Sequence, residues 1–219
     1  MSVELERDGQ VWLLRMRDGE NRFNRGFLDA LFAALDEVEK SDGPAALVTV
    51  GEGKFYSNGL DLTWLAGEGR DQAERFMADV HRLFARFLAF PVPNVAALNG
   101  HAFAGGAMMA LAHDFRVMRS DRGFFCLPEA DLQLPLTPGM NAVVTAKLPK
   151  QTAHEAIVTG RRYGGEEALR FGIVHEAVPE EQVLVRALER ARPLAGKHRA
   201  TQAVLKRRLY QAELSILEG

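Results

Sequence analysis

An α/β fold with a mainly parallel sheet and a helical C-terminal third is what this sequence predicts, on three observations. Two short, near-continuous apolar runs, Ala45–Val50 (AALVTV) and Asn94–Leu98 (NVAAL), have the pattern of strands buried on both faces. Segments with helical apolar spacing stand between and around them, which makes crossover units and parallel pairing the natural arrangement. After about residue 139 the strand pattern fades while helical spacing continues.

The elements follow in order. Val11–Met16 (VWLLRM) has strand-like apolar content, and RDGEN after it is a turn. Gly26–Lys40 repeats Phe27, Leu28, Leu31, Phe32, Leu35 and Val38 at helical spacing. SDGP breaks the chain before Ala45–Val50, and GEGKFYSNGLD reads as a glycine-rich loop. A long amphipathic helix over Asp71–Phe90 ends at PVP, ahead of Asn94–Leu98. The stretch NGHAFAGGAMMALAHD (99–114) reads as a short apolar helix, and FRVMRS after it as a further strand. Met140–Leu148, Gln151–Thr159, Glu166–Phe171, Glu180–Ala195 and Arg199–Leu217 all read as helical. The connector Gly160–Gly165 divides a core at residues 1–160 from a helical region at 161–219.

Composition narrows the function classes. Hydrophobic residues at 47% and charged residues at 26% suit a globular protein with a substantial core. With 27 Lys+Arg against 29 Asp+Glu, the formal charge of −2 argues against a general nucleic-acid binder. Cys126 is the single cysteine, so no internal disulfide or zinc framework exists and a reducing cytoplasm is the expected compartment. MSVELERDGQ has no apolar signal region, and LSILEG is not a peroxisomal address. The longest apolar stretch, Ala102–Ala112, falls short of the roughly 20 residues a membrane helix needs, so no membrane role is expected. The six histidines show no HExxH spacing, so no metal site is expected. No GxSxG occurs, and AFAGGA is neither GxGxxG nor a P-loop.

What remains is a pair of glycine-containing turns, each after a buried strand. The first is Phe55-Tyr56-Ser57-Asn58-Gly59-Leu60-Asp61-Leu62; the second is Asn99-Gly100 followed by Ala104-Gly105-Gly106. Ligands of open α/β sheets gather at the carboxyl ends of the strands. Two backbone N–H groups from such turns can converge on one oxygen, one of them favoured by a helix N-terminus. Equally, each glycine can serve only close packing.

The segments GKFYSNGLDL, NVAALNGHAFAGGAMMALAHDFRVMRSD and GFFCLPEADLQLPL resemble the enoyl-CoA hydratase/isomerase (crotonase) superfamily, and VTGRRYGGEEALRFGIVHEAVP fits its helical tail. The resemblance spans about Val3 to Leu209. It implies an α/β crotonase-like spiral of ββα units, with a helical C-terminal region that covers the pocket and oligomerises. It also implies acyl-CoA thioester substrates, coenzyme A being part of the substrate with no separate cofactor, and assembly as a homotrimer or dimer of trimers. The thioester enolate would be held by two peptide N–H groups, which map onto Leu60 and Gly105. Ser57, Asn58 and Gly59 would lie beside coenzyme A, with Gly106 and Met108 at the acyl group.

Hydratases of the family use two glutamates. The first falls at Met108, which carries no proton; the second falls at Glu129 in Leu127-Pro128-Glu129-Ala130-Asp131. Hydration divides water activation and proton delivery between two acids, whereas moving a double bond needs one shuttle. The pattern therefore resembles the Δ3,Δ2-enoyl-CoA isomerases of fatty-acid β-oxidation, with Glu129 as shuttle and its pKa raised by apolar neighbours such as Met108. The alternatives are an enoyl-CoA hydratase with a displaced acid, a dienoyl-CoA isomerase, an acyl-CoA thioesterase, or an inactive acyl-CoA-binding paralogue. Asp131 reads as a structural capping residue, Phe124, Phe125 and Cys126 as a buried strand end, and Lys54, Arg22 and Arg25 as solvated charges. Many hydratases continue through a further terminal helix, so a differently built roof over the acyl pocket is expected here.

Overall fold

The structure is a computed structural model that describes residues 2–219. It opens with an antiparallel hairpin of β1 (Val3–Asp8) and β2 (Val11–Met16), turning at Gly9. Helix α1 (Arg25–Lys40) follows, its Phe27 N–H capped by the Asn24 side chain. Three ββ units then repeat, each strand pair leading into helix. The first is β3 (Ala46–Val50) and β4 (Phe55–Ser57), leading into α2 (Leu62–Ala66) and the long α3 (Ala73–Leu88). The second is β5 (Asn94–Leu98) and β6 (His101–Phe103), leading into α4 (Gly105–Ala112). The third is β7 (Phe115–Arg119) and β8 (Phe125–Cys126), leading into α5 (Glu129–Leu132). The remainder comprises α6 (Pro138–Lys147), α7 (Lys150–Thr159), β9 (Arg162–Tyr163), α8 (Gly165–Arg170), β10 (Glu176–Val178), α9 (Glu180–Ala191), α10 (Arg199–Leu209) and α11 (Gln211–Glu218).

Each unit sends its first strand to one sheet and its second strand to another. The larger sheet has the order β1-β2-β3-β5-β7-β10, parallel from β2 onward; the smaller has the order β4-β6-β8-β9, with only β9 antiparallel. Both faces of the large sheet are covered. Leu47, Ala96 and Leu98 join the core with α1, α3 and α4, while Val48, Val95, Ala97 and Val117 pack with Val183 and Ala187 of α9. Burial on both sides is why AALVTV and NVAAL are apolar without alternation. The spiral of ββα units is thus present.

Several sequence expectations need correction. β1 was not foreseen: four of the six residues of VELERD are charged, because it is an edge strand with few core positions. β4 and β6 replace an expected loop and the expected start of the helix at 99, since α4 begins only at Gly105. Strands too short to show a period leave no pattern to read. For the same reason β9 and β10 were not foreseen: β9 lies in the Gly160–Gly165 connector and β10 between the helices expected at Glu166–Phe171 and Glu180–Ala195. The expected Arg199–Leu217 helix is interrupted at Tyr210. Phe125 and Cys126 are buried, but Phe124 is 38% exposed. Asp131 is exposed and forms no hydrogen bond among the described residues; the turn after α5 closes instead through Gln133 in left-handed backbone.

Candidate active site

The first glycine turn is shaped by the segment before α1. Phe23 bridges to Leu60 in parallel fashion: the Phe23 N–H donates to Gly59 O at 2.7 Å and the Asp61 N–H donates to Phe23 O at 3.0 Å. The Gly59 carbonyl and the Leu60 N–H belong to one planar peptide unit and point in opposite directions. Because that carbonyl faces Phe23, the Leu60 N–H faces away, and it has no hydrogen-bond partner among the described residues.

The second turn meets the first backbone to backbone. Gly59 sits at φ +75, and a Cβ there would lie 2.7 Å from Gly105 N and 2.9 Å from Phe103 O. A Cβ on Gly106 would lie 2.3 Å from Ser57 O. Neither contact leaves room for a side chain, so these two glycines permit the approach of β4 to α4. Ala104, just before the helix, is held at φ 50 and ψ −125, its N–H donating to Cys126 O at 3.0 Å. Left-handed backbone at a non-glycine residue stores strain of about 1–3 kcal/mol, and such strain clusters at functional sites. Gly105 follows as the first residue of α4, so its N–H has no intrahelical acceptor and stands at the positive end of the helix.

Glu129 opens α5, a single turn set by Pro128. Its Oε2 is buried with no hydrogen-bond partner. Burial pushes the carboxyl from its ordinary 4.5 up to about 7, and no neighbouring cation opposes that shift. The adjacent Cys126 thiol is pushed up to about 11 by burial and donates to Gly160 O, so it is no nucleophile at neutral pH.

These groups share a cavity of about 550 Å³. Leu60, Ala104, Gly105 and Glu129 line it, and Leu62, Leu65, Met77, Leu132, Leu134 and Met140 make most of the wall apolar. Glu129 and Arg22 are the only ionisable side chains among the described lining residues. Arg22 pairs with Glu20, which also accepts from the lining residue Asn58 at 2.7 Å. Thus Leu60, Gly105, Asn58 and Glu129 come together. Ser57, Gly59, Gly106 and Met108 do not line the cavity; Ser57 and Met108 are fully buried. Arg25 is held by Asp79 at 2.6 Å and Asp29 at 2.7 Å rather than left to solvent, while Lys54 is exposed.

Sequence reasoning missed Met77, Met140, Thr137 and the leucine rim. Met77 comes from α3, and Leu132, Leu134, Thr137 and Met140 from the stretch α5 to α6, all remote in sequence from the glycine turns. Leu62 and Leu65 belong to α2 just after the first turn; apolar residues at helical spacing read as core. Thr137 left one trace, the Thr-Pro-Gly start of a helix: its Oγ accepts from Met140 N–H at 3.2 Å and pairs with His81 Nε2 at 2.7 Å.

A profile of the family described as Enoyl-CoA hydratase/isomerase matches residues 6–217. The chain belongs to that family. Enoyl-CoA hydratase/isomerase relatives resemble it over almost its full length. Enoyl-CoA delta isomerase 2, peroxisomal, of Arabidopsis thaliana is 36% identical over 97% of this chain and 94% of its own. The crystal structure of a probable enoyl-CoA hydratase from Mycobacterium tuberculosis H37Rv superimposes with TM-score 0.92 at 28% identity, covering 99% of this chain and 92% of that one. Human mitochondrial delta3-delta2-enoyl-CoA isomerase superimposes with TM-score 0.91 at 27% identity, covering 98% and 85% respectively. The fold is therefore the crotonase fold, and the chain is a crotonase-family protein of acyl-CoA metabolism.

Proposed function

We propose that this protein is a Δ3,Δ2-enoyl-CoA isomerase, converting 3-enoyl-CoA to 2-trans-enoyl-CoA in fatty-acid β-oxidation. One observation carries the reading: the cavity has a single carboxylate, Glu129, desolvated and with its Oε2 unpartnered, together with the unpartnered N–H groups of Leu60 and Gly105. The thioester oxygen accepts from both N–H groups. Glu129 takes a proton from C2, and the electrons pass into a dienolate whose negative oxygen the two N–H groups stabilise. The same carboxyl returns its proton to C4 as the double bond settles between C2 and C3, so no proton or electron is gained or lost. A carboxyl near pH 7 can both accept and return a proton at neutral pH. Hydration would ask for a second acid, and Met108 stands where the family's first glutamate falls. Arabidopsis relatives bearing the delta isomerase name support the same choice.

Coenzyme A enters as part of the substrate, with Asn58 and Arg22 at the polar side of the cavity. A core of residues 1–160, a covering and oligomerising region of 161–219, a homotrimer or dimer of trimers, and a reducing cytoplasmic setting complete the proposal. The test is 3-enoyl-CoA with the wild type and Glu129→Gln in D2O, followed by conjugation of the double bond and by mass. Conjugation without hydration or free CoA, lost about 10³-fold in Glu129→Gln with acyl-CoA binding kept, is expected. Unchanged turnover in that variant, or a hydrated product, overturns the assignment.

A further inference from the structure

Ser57 lies outside the cavity, yet its hydroxyl holds one of the cavity's donors in place, and we infer that it is the positioning residue of the Leu60 N–H. The inference rests on the proposal that this N–H binds the thioester oxygen.

Gly59 is the weak point of that arrangement. It precedes Leu60, has the freest backbone of any residue type, and must stay at φ +75 for the Leu60 N–H to face the cavity. Its C=O is fixed by the Phe23 N–H at 2.7 Å. Its N–H is fixed by Ser57 Oγ at 3.2 Å. With both ends held, neither φ nor ψ of Gly59 can drift, and the Leu60 N–H keeps its direction.

The Ser57 hydroxyl is itself oriented. It donates to Asn21 O at 2.8 Å, which leaves its lone pairs for the Gly59 N–H. Asn21 is fully buried in left-handed backbone at φ 50, a conformation asparagine tolerates. Its side chain is satisfied on both sides: Nδ2 donates to Tyr56 O at 3.0 Å, and Oδ1 accepts from Asp18 N–H at 2.9 Å. The chain of fixation therefore runs from the Asp18–Asn21 turn through Ser57 Oγ to Gly59, and so to Leu60. Ser57 is 0% exposed and packs against the backbone of Gly106, so no ligand reaches its hydroxyl. The fixation spends no group that touches the substrate, which suits electrostatic preorganisation.

The experiment binds a saturated acyl-CoA, labelled with carbon-13 at the thioester carbonyl, to wild type and Ser57→Ala and records the carbonyl stretch. Kinetics on 3-enoyl-CoA accompany it. In the wild type the stretch moves to lower frequency on binding; in Ser57→Ala at least half of that shift is lost. kcat falls about 10- to 100-fold, KM stays within about threefold, and the pH midpoint set by Glu129 is unmoved. Ser57→Cys, with a weaker donor and acceptor at the same point, recovers part of the shift and serves in place of Ser57→Ala if that variant does not fold. A full carbonyl shift in the variant overturns the inference while leaving the Leu60 donor intact. No shift in the wild type overturns the donor reading itself, and the inference with it.

Discussion

Glu129 combines two properties that pull against each other. Its carboxyl is kept protonated to about pH 7 by burial, whereas the unfolded chain titrates it near 4.5. Between those values the folded state binds the extra proton, so stability falls as pH rises from about 4.5 to about 7. Glu129→Gln removes the titration. It is expected to be more stable than the wild type at pH 8, by on the order of 2 kcal/mol, and about equal at pH 4, as read by urea unfolding. In the wild type kcat/KM should rise with pH and level off above a midpoint near 7, because the base must start deprotonated; a flat profile from pH 5 to 9 would exclude Glu129 as the base. Of this residue, the sequence showed identity and motif. The burial that raises its pKa and leaves Oε2 unpartnered is a tertiary property: α3 and α6 bring Met77 and Met140 to the same cavity.

At the scale of elements, the site depends on β4 and α4 meeting backbone to backbone. Gly106→Ala would drive a Cβ into Ser57 O, which can yield only by separating the two elements. The expected result is destabilisation of about 2–4 kcal/mol with most isomerase activity lost, measured by thermal unfolding and turnover. Gly26→Ala is the counterpart. It lies in the first turn of α1, where a Cβ would meet only Asn24 Oδ1 at 3.7 Å, so a gain of about 0.5–1 kcal/mol with unchanged activity is expected. Both glycines look alike in the sequence. What separates them is the neighbour across space: the Ser57 carbonyl in one case and open surroundings in the other.

Across the whole molecule, the C-terminal helices brace the cavity from behind. Lys206 of α10 donates to Val92 O at 3.0 Å and to Asp114 Oδ2, a carboxylate that also accepts from Asn94 N–H. α11 packs on α3 and α6, which supply Met77 and Met140 to the wall, and Leu217 fills the space beside Gly139. Lys206→Ala strips a partly buried carboxylate of its cation and is expected to cost about 2 kcal/mol in chemical denaturation, with a raised KM for acyl-CoA. The burial of Lys206, at 7% exposure, has no sequence signal, since nothing in ATQAVLKRRLYQ sets it apart from its exposed neighbours Arg207 and Arg208.

By itself the sequence determined the α/β class, the two buried parallel strands that carry the site, both glycine turns, and the carboxylate at 129. These are local properties: apolar runs, backbone freedom at glycine, and side-chain chemistry at a position. Tertiary structure alone decided that the small strands form a second sheet and that the Leu60 and Gly105 N–H groups are left without partners in one cavity. It also buried Ser57 and Met108 and left them out of the cavity wall. The reason is that hydrogen-bond satisfaction and desolvation are sums over neighbours from the whole chain. Whether an N–H is free, or a carboxyl titrates near 7, depends on residues that no window of sequence contains.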